Sequence, residues 1–352
     1  MRVLVTGGAG FIGRHLVDIL VEAGHEVTIL DNRDARIHAS EPKDLNPRAT
    51  YVWKDIRDRE AVREAGQGAE ALYHLASLIE VAESERDIGR YVDVNVRGTA
   101  VLLDTLIQHV PSLETLVLTS SVAVYGEGAY ACGEDGGVEP GTRRQEQLDA
   151  GVWEAVCPQC QGRLEPIGTA EGKVPNPVSV YGVTKLVQEK VFASASREAG
   201  LPAVVLRFGN VFGPGQREGA YAGVTTTFLR RIARGEPLTV HEDGRQTRDY
   251  VFVEDAVAAA VRALDAPIEG TWIGNIGSGR PTTVLEVAQL AAEVVGGEVS
   301  TRQEGTYRPG DIRHLWLDVA EARRSLGFEP SVDLKEGLRR TVAATHPESL
   351  EP

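Results

Sequence analysis

Tyr181 and Lys185 stand four residues apart in the stretch VYGVTK, residues 180–185. On a helix that spacing puts both side chains on one face. A phenol titrates near 10, too high for a base at neutral pH. A neighbouring ammonium favours the phenolate and brings the group toward the working range of a general base. The same pair is also an ordinary pattern of surface helices, so other residues must decide between the two readings. Ser121 closes the apolar run ETLVLTSS, residues 114–121. A hydroxyl at the end of a core strand can hydrogen-bond the substrate oxygen that a tyrosine deprotonates. Ser120 and Thr119 offer the same chemistry, and capping of the strand end is the plainer role for any of the three.

A second set of residues lies at the start of the chain. Gly7, Gly10 and Gly13 follow the strand-like run RVLVT and open the helical pattern FIGRHLVDILVEAG. A glycine loop between strand and helix lets backbone approach a pyrophosphate, which then rests on the helix N-terminus. Asp31 ends the next strand-like run, 18 residues after Gly13. A carboxylate there accepts from ribose hydroxyls and repels a 2′-phosphate, so the pattern predicts NAD rather than NADP. Arg33 stands close by and weakens that preference. Asp55, after a third short run, can accept from an adenine amino group or remain a solvated loop carboxylate.

These residues need a scaffold. Apolar runs at 2–6, 26–31, 50–53, 70–77, 114–121 and 202–208 alternate with helical patterns. Continuous Val, Leu and Ile runs separated by helices predict a parallel sheet covered on both faces, a doubly wound α/β fold of Rossmann type. We expect residues 1–207 to form this dinucleotide domain, with 237–270 partly returning to it. A smaller C-terminal α/β substrate lobe is expected over most of 208–352, with helices at 253–266, 283–297 and 319–328. Residues 127–178 show no clear period, which marks an insertion.

The chain has 352 residues, 51 acidic against 37 basic side chains and a net charge of −14. That balance argues against a nucleic-acid surface. No apolar run reaches membrane-spanning length, and the opening MRVLVTGG reads as a strand rather than a signal peptide. With three cysteines, the expectation is a cytoplasmic enzyme.

The motifs TGGAGFIG, HLAS, NVRGT, SSVAVYG, YGVTK, LRFGNVFGPGQ, TRDYVFVEDA and RPGDIRHLWLD run through nearly the whole chain. Together they resemble the extended short-chain dehydrogenase/reductases of the nucleotide-sugar epimerase/dehydratase family. The resemblance implies an NAD site lined by Gly7, Gly10, Phe11, Ile12, Gly13, Asp31, Asn32, Asp55, Ile56, Leu75, Ala76, Asn95, Tyr181 and Lys185. It implies catalysis by Ser121 and Tyr181, with Lys185 on the nicotinamide ribose. Asn210, Arg248, Arg308 and Asp311 would hold the nucleotide sugar, and arginines suit its diphosphate. A homodimer through segments near 84–110 and 178–199 is also implied.

Dehydratases of the family carry Asp-Glu directly after the catalytic hydroxyl residue. Here Val122 and Ala123 stand there, so 4-epimerisation through a transient 4-keto sugar is expected over dehydration, with ketoreduction or decarboxylation as alternatives. Ser121 and Tyr181 are 60 residues apart because of the insertion. It carries Cys157-Pro-Gln-Cys160, the spacing of a zinc knuckle, and Cys132 adds a third thiol. Either a structural zinc, with Glu134 or Asp135 as further ligand, or a reduced pair fits these residues. The insertion with CPQC just before SVYGVTK resembles the bacterial dTDP-L-rhamnose 4-epimerase branch, with UDP-hexose 4-epimerases as the nearest rival.

Overall fold

The structure is a computed structural model that describes residues 1–38, 45–134, 136–216, 223–303, 306–307 and 311–344. Arg308 and Asp135, both considered above, lie outside the described residues. Seven strands form one sheet in the order Thr271–Ile276, Ala203–Phe208, Thr115–Ser121, Ala71–His74, Arg2–Thr6, Glu26–Leu30, Thr50–Val52. Every neighbouring pair is parallel. Each strand needs a crossover, and the helices that supply the crossovers cover both faces.

The alternation of side chains along the strands shows this directly. Val3 and Val5 join a core with Leu16, Leu20, Val257 and Ala260. Leu4 points the other way and packs with Val62, Leu102, Leu106 and Phe192. The chain order reverses direction between Arg2–Thr6 and Ala71–His74, where Thr6 pairs with His74. Ligands of doubly wound sheets bind in the crevice outside the strand ends at that reversal.

The edge strand Thr271–Ile276 comes from the C-terminal half and was not anticipated from sequence. The helix Val253–Asp265 precedes it and packs against Phe11–Glu22 on the sheet. A separate core of Phe212, Phe228, Leu229, Leu238, Val240, Phe252, Val287, Ala291 and Leu338 forms the smaller lobe. The insertion folds into an antiparallel sheet ordered Gly136–Val138, Ala129–Cys132, Glu165–Ile167. Among the described residues, no helix is long and apolar enough to cross a membrane.

Candidate active site

The helix Val180–Ala199 carries both Tyr181 and Lys185. Its start is set locally. Ser179 is extended at the N-cap and accepts from the Gly182 amide, and Gly200 ends the helix in a left-handed turn. The first turn is also held from outside. Tyr181 N donates to Ser84 Oγ at 3.1 Å, and Val180 N donates to Glu85 Oε1 at 2.9 Å. A carboxylate at a helix N-terminus is favourable.

This helix leans on the turn Val122–Tyr125 that follows Ser121. Gly182 is the contact point. A Cβ on it would come within 2.6 Å of the Ala123 carbonyl oxygen, so the close approach requires glycine. The result places the Ser121 hydroxyl beside the Tyr181 phenol, where it acts to lower the phenol. Ser121 also accepts from Ala123 N at 3.1 Å. Thr119 faces the neighbouring strand, and Ser120 meets the same helix about two turns beyond Tyr181. Thr119 donates to the His74 carbonyl at 3.3 Å, and Ser120 donates to Glu189 at 2.6 Å. Of the three hydroxyls, Ser121 is the one that meets the tyrosine.

The electrostatics of the pair differ from the simple expectation. Burial raises the Tyr181 phenol, and the Ser121 hydrogen bond works against that rise; Lys185 is not among the groups acting on it. Burial pushes the Lys185 ammonium down to about 7, while Glu189 one turn on pulls it up. Burial therefore disfavours both charged forms.

Glu189 belongs to a buried network that sequence reasoning missed. It takes Arg207 in a two-pronged pair at 2.9 and 2.7 Å. Arg207 also donates to the Tyr125 hydroxyl at 2.9 Å, and Tyr125 donates to Asn275 at 2.7 Å. Arg207 and Glu189 are 3% and 1% exposed, so the ion pair lies beneath the end of the strand Thr115–Ser121 rather than in solvent.

At the other end of the crevice, Gly7 turns with a φ of 72° and packs on Leu75 and Ala76, 2.7 Å from where its Cβ would stand to Ala76 N. A Cβ at Gly13 would sit 2.2 Å from the Gly7 carbonyl. A Cβ at Gly10 would meet just that carbonyl, at 3.2 Å, so its outer side is open for a ligand. Gly10 begins the helix Phe11–Glu22 without a side-chain cap, which leaves the helix's N-terminal amides to an anion. Asp31 is buried, and its carboxylate accepts from Ala9 N at 3.1 Å and Arg33 N at 2.9 Å. Arg33 stacks over the Trp53 ring at 4.6 Å. This glycine cradle and carboxylate fit a dinucleotide.

Other residues expected around the cofactor divide in their roles. Asn32 donates to Asp55 at 2.9 Å. Burial opposes charge on Asp55, yet hydrogen bonds from Arg57 and Asn32 hold it down to about 2. Ile56 is a core residue. Asn95 is fully buried in a π-helical turn and bonds both polar groups of Leu78 and the Thr184 hydroxyl. It ties the segment after the fourth strand to the helix Val180–Ala199.

On the substrate side, Arg248 and Asp311 are brought together at 3.1 Å. Arg248 also donates to the carbonyls of Thr247, Arg313 and Ile312. Asn210 is exposed, with its amide on the Asp249 carbonyl. The insertion reaches this region through Arg143, which donates to Glu242 at 2.7 Å and to the Asp311 carbonyl at 2.9 Å. Glu154 receives Arg313 and His314. The His314 hydrogen bond and then the Arg313 guanidinium outweigh burial and hold Glu154 down to about 2.

A parallel sheet with a glycine cradle at its reversal and a Ser–Tyr–Lys set at the adjacent strand end defines a dinucleotide-dependent enzyme. The model of the NAD dependent epimerase/dehydratase family matches residues 3–144 and 155–277. Sequence relatives include a dTDP-L-rhamnose 4-epimerase of Burkholderia thailandensis, 35% identical over 96% of this chain and 93% of its own. A UDP-glucose 4-epimerase of Mycolicibacterium smegmatis is 32% identical over 97% of each chain. A solved UDP-glucose 4-epimerase of Thermotoga maritima with UDP-glucose superimposes with a TM-score of 0.80 at 33% identity, covering 98% of both chains. The chain belongs to the NAD dependent epimerase/dehydratase family, and NAD is its cofactor.

Proposed function

We propose that this enzyme inverts C4 of a nucleoside-diphosphate sugar through a transient 4-keto sugar. The observation that carries the reading is the Ser121 hydroxyl acting on the Tyr181 phenol, on the helix that also carries Lys185, followed by a turn whose first residues, Val122 and Ala123, have no titratable group. Bound NAD supplies hydride removal from C4 and its return, and its cationic ring favours the Tyr181 phenolate. Tyr181 takes the C4 hydroxyl proton as the ketone forms and gives it back as the ketone is reduced. Ser121 holds the same oxygen. Lys185 stands on the same helical face as Tyr181, and in its charged form it favours the phenolate. Arg248, with Asp311, faces the substrate lobe and suits a diphosphate.

Dehydration needs an acid and a base at C5 and C6, and the positions after Ser121 supply neither. Inversion needs one proton-transfer group that serves in both directions. For the sugar itself, we favour dTDP-L-rhamnose and dTDP-6-deoxy-L-talose. The 35% identity to the Burkholderia enzyme and the cysteine-bearing insertion support it. The UDP-glucose 4-epimerases among the relatives support UDP-hexoses as the second reading. A homodimer through segments 84–110 and 178–199 is part of the proposal, and exposed Ile88, Val92 and Val183 there support it.

The test is incubation with dTDP- and UDP-sugars, followed by NMR at C4 and by absorbance of the reduced nicotinamide. Inversion with flat absorbance is expected. A 4-keto-6-deoxy product, carbon dioxide release or stoichiometric cofactor consumption overturns it.

A further inference from the structure

We propose that Cys132, Cys157 and Cys160 bind a structural zinc ion that staples the insertion and holds it on the substrate lobe. The three sulfur atoms come from two places 25 residues apart in sequence, yet all lie within 4.8 Å of one another. Cys132 Sγ and Cys160 Sγ are 3.5 Å apart. A tetrahedral ion with Zn–S bonds of about 2.3 Å needs sulfurs about 3.8 Å apart, so small movements complete the site.

The loop is shaped for thiolates. Gln159 N donates to Cys157 Sγ and Gly162 N donates to Cys160 Sγ, each at 3.4 Å. In both cases the amide two residues beyond a cysteine points at its sulfur. The turn is closed by Cys157 N on the Gly162 carbonyl at 2.9 Å and by Gln161 N on the Cys157 carbonyl at 3.0 Å. A Cβ at Gly162 would stand 3.1 Å from Cys160 Sγ, so glycine keeps that sulfur accessible. Soft thiolate donors in this number select zinc-class ions over magnesium or calcium. Cys132 and Cys157 are buried and Cys160 is exposed, so the three thiols sit at the edge of the insertion's core.

A second observation favours a staple. The insertion's own buried cluster consists of Tyr130, Cys132, Ala155, Cys157 and Leu164. So small a core supplies little stability of its own, and a cross-link would add to it. Two of its five members are the cysteines themselves. The same segment presents Glu127 and Glu154 to Arg313 and His314 of the substrate side. A metal at the knuckle fixes the strand Ala129–Cys132 to the turn after Glu154, and so fixes both carboxylates at once.

The experiment uses the full chain purified without chelator. Elemental analysis should find about one zinc per chain, and Cys132→Ser and Cys157→Ser should each lose most of it while retaining NAD. Should a variant fail to fold, the wild-type protein answers alone. Mercurial titration should release zinc as the three thiols react, cobalt exchange should give the visible bands of a tetrahedral thiolate site, and chelation should lower the melting temperature at unchanged NAD content. Hydrogen exchange at the Arg313 and His314 amides should rise on chelation. Native protein with three freely titrating thiols, or with a Cys132–Cys160 disulfide, and no cobalt bands overturns the proposal. None of these readouts depends on which sugar is turned over.

Discussion

The ion pair beneath the end of the strand Thr115–Ser121 offers a sharp test of the packing argument. Glu189 and Arg207 share two hydrogen bonds at 2.9 and 2.7 Å and are almost fully buried. Burial works against the charge on Arg207, and the Glu189 hydrogen bonds more than restore it. Replacing one partner by methionine strands the other charge in the core, at a loss of about 3–5 kcal/mol. Unfolding entropy near 2.1 cal/mol/K per residue gives about 0.7 kcal/mol/K for a chain of 352 residues. Each single variant should therefore melt roughly 4–7 °C lower. The double variant Glu189→Met with Arg207→Met removes both charges and leaves the Ser120 hydroxyl without its acceptor. Tyr125 keeps Asn275. Its loss should be about 1–3 kcal/mol, far below the sum of the singles. The assay is urea unfolding of the four proteins, with bound NAD measured and matched in each sample. Single losses under about 1 kcal/mol, or a double loss equal to the sum, would refute the reasoning.

Tyr181→Phe should lower turnover by about 10²–10⁴-fold with NAD still bound, checked by NMR rates and cofactor content. Gly182→Ala places a methyl 2.6 Å from the Ala123 carbonyl; it should cost about 1–3 kcal/mol and slow turnover by parting Tyr181 from Ser121, which thermal melts and kinetics will show. His74 is fully buried, with its ring nitrogens on Thr6 and Thr99 at 2.7 and 2.8 Å, and burial followed by Lys185 pushes it down from 6.5 to about 3. The folded state thus binds fewer protons than the unfolded one between these values. Stability is full above pH 6.5 and falls as pH drops toward 3, by up to about 5 kcal/mol for this group. Urea midpoints across that range should fall less steeply for His74→Gln than for the wild type.

Local spacing carried much of this protein's character. The loop with Gly7, Gly10 and Gly13, the terminal Asp31 and the Tyr181–Lys185 pair are legible because each is written within one turn or one strand–helix unit. Periodicity alone reveals the strands at 2–6, 114–121 and 202–208, since a strand buried on both faces must be apolar throughout. Fold class and cofactor follow from those short-range patterns.

Tertiary structure decided the rest, because it depends on which distant segments meet. Ser121 and Tyr181 are 60 residues apart, and the choice of Ser121 over Ser120 and Thr119 rests on which partner each hydroxyl meets once the helix closes on the strand end. Thr271–Ile276 joins the sheet by pairing with Ala203–Phe208, a partnership no local pattern contains. Asn95, which the family resemblance places at the cofactor, bonds Leu78 and Thr184 through its side-chain amide, contacts that no local pattern contains. The pairing of Glu189 with Arg207 is likewise absent from any local pattern and exists only once helix and strand close over both. Short-range order is encoded by propensity and period, whereas a buried polar contact exists only where the folded chain removes water from both partners.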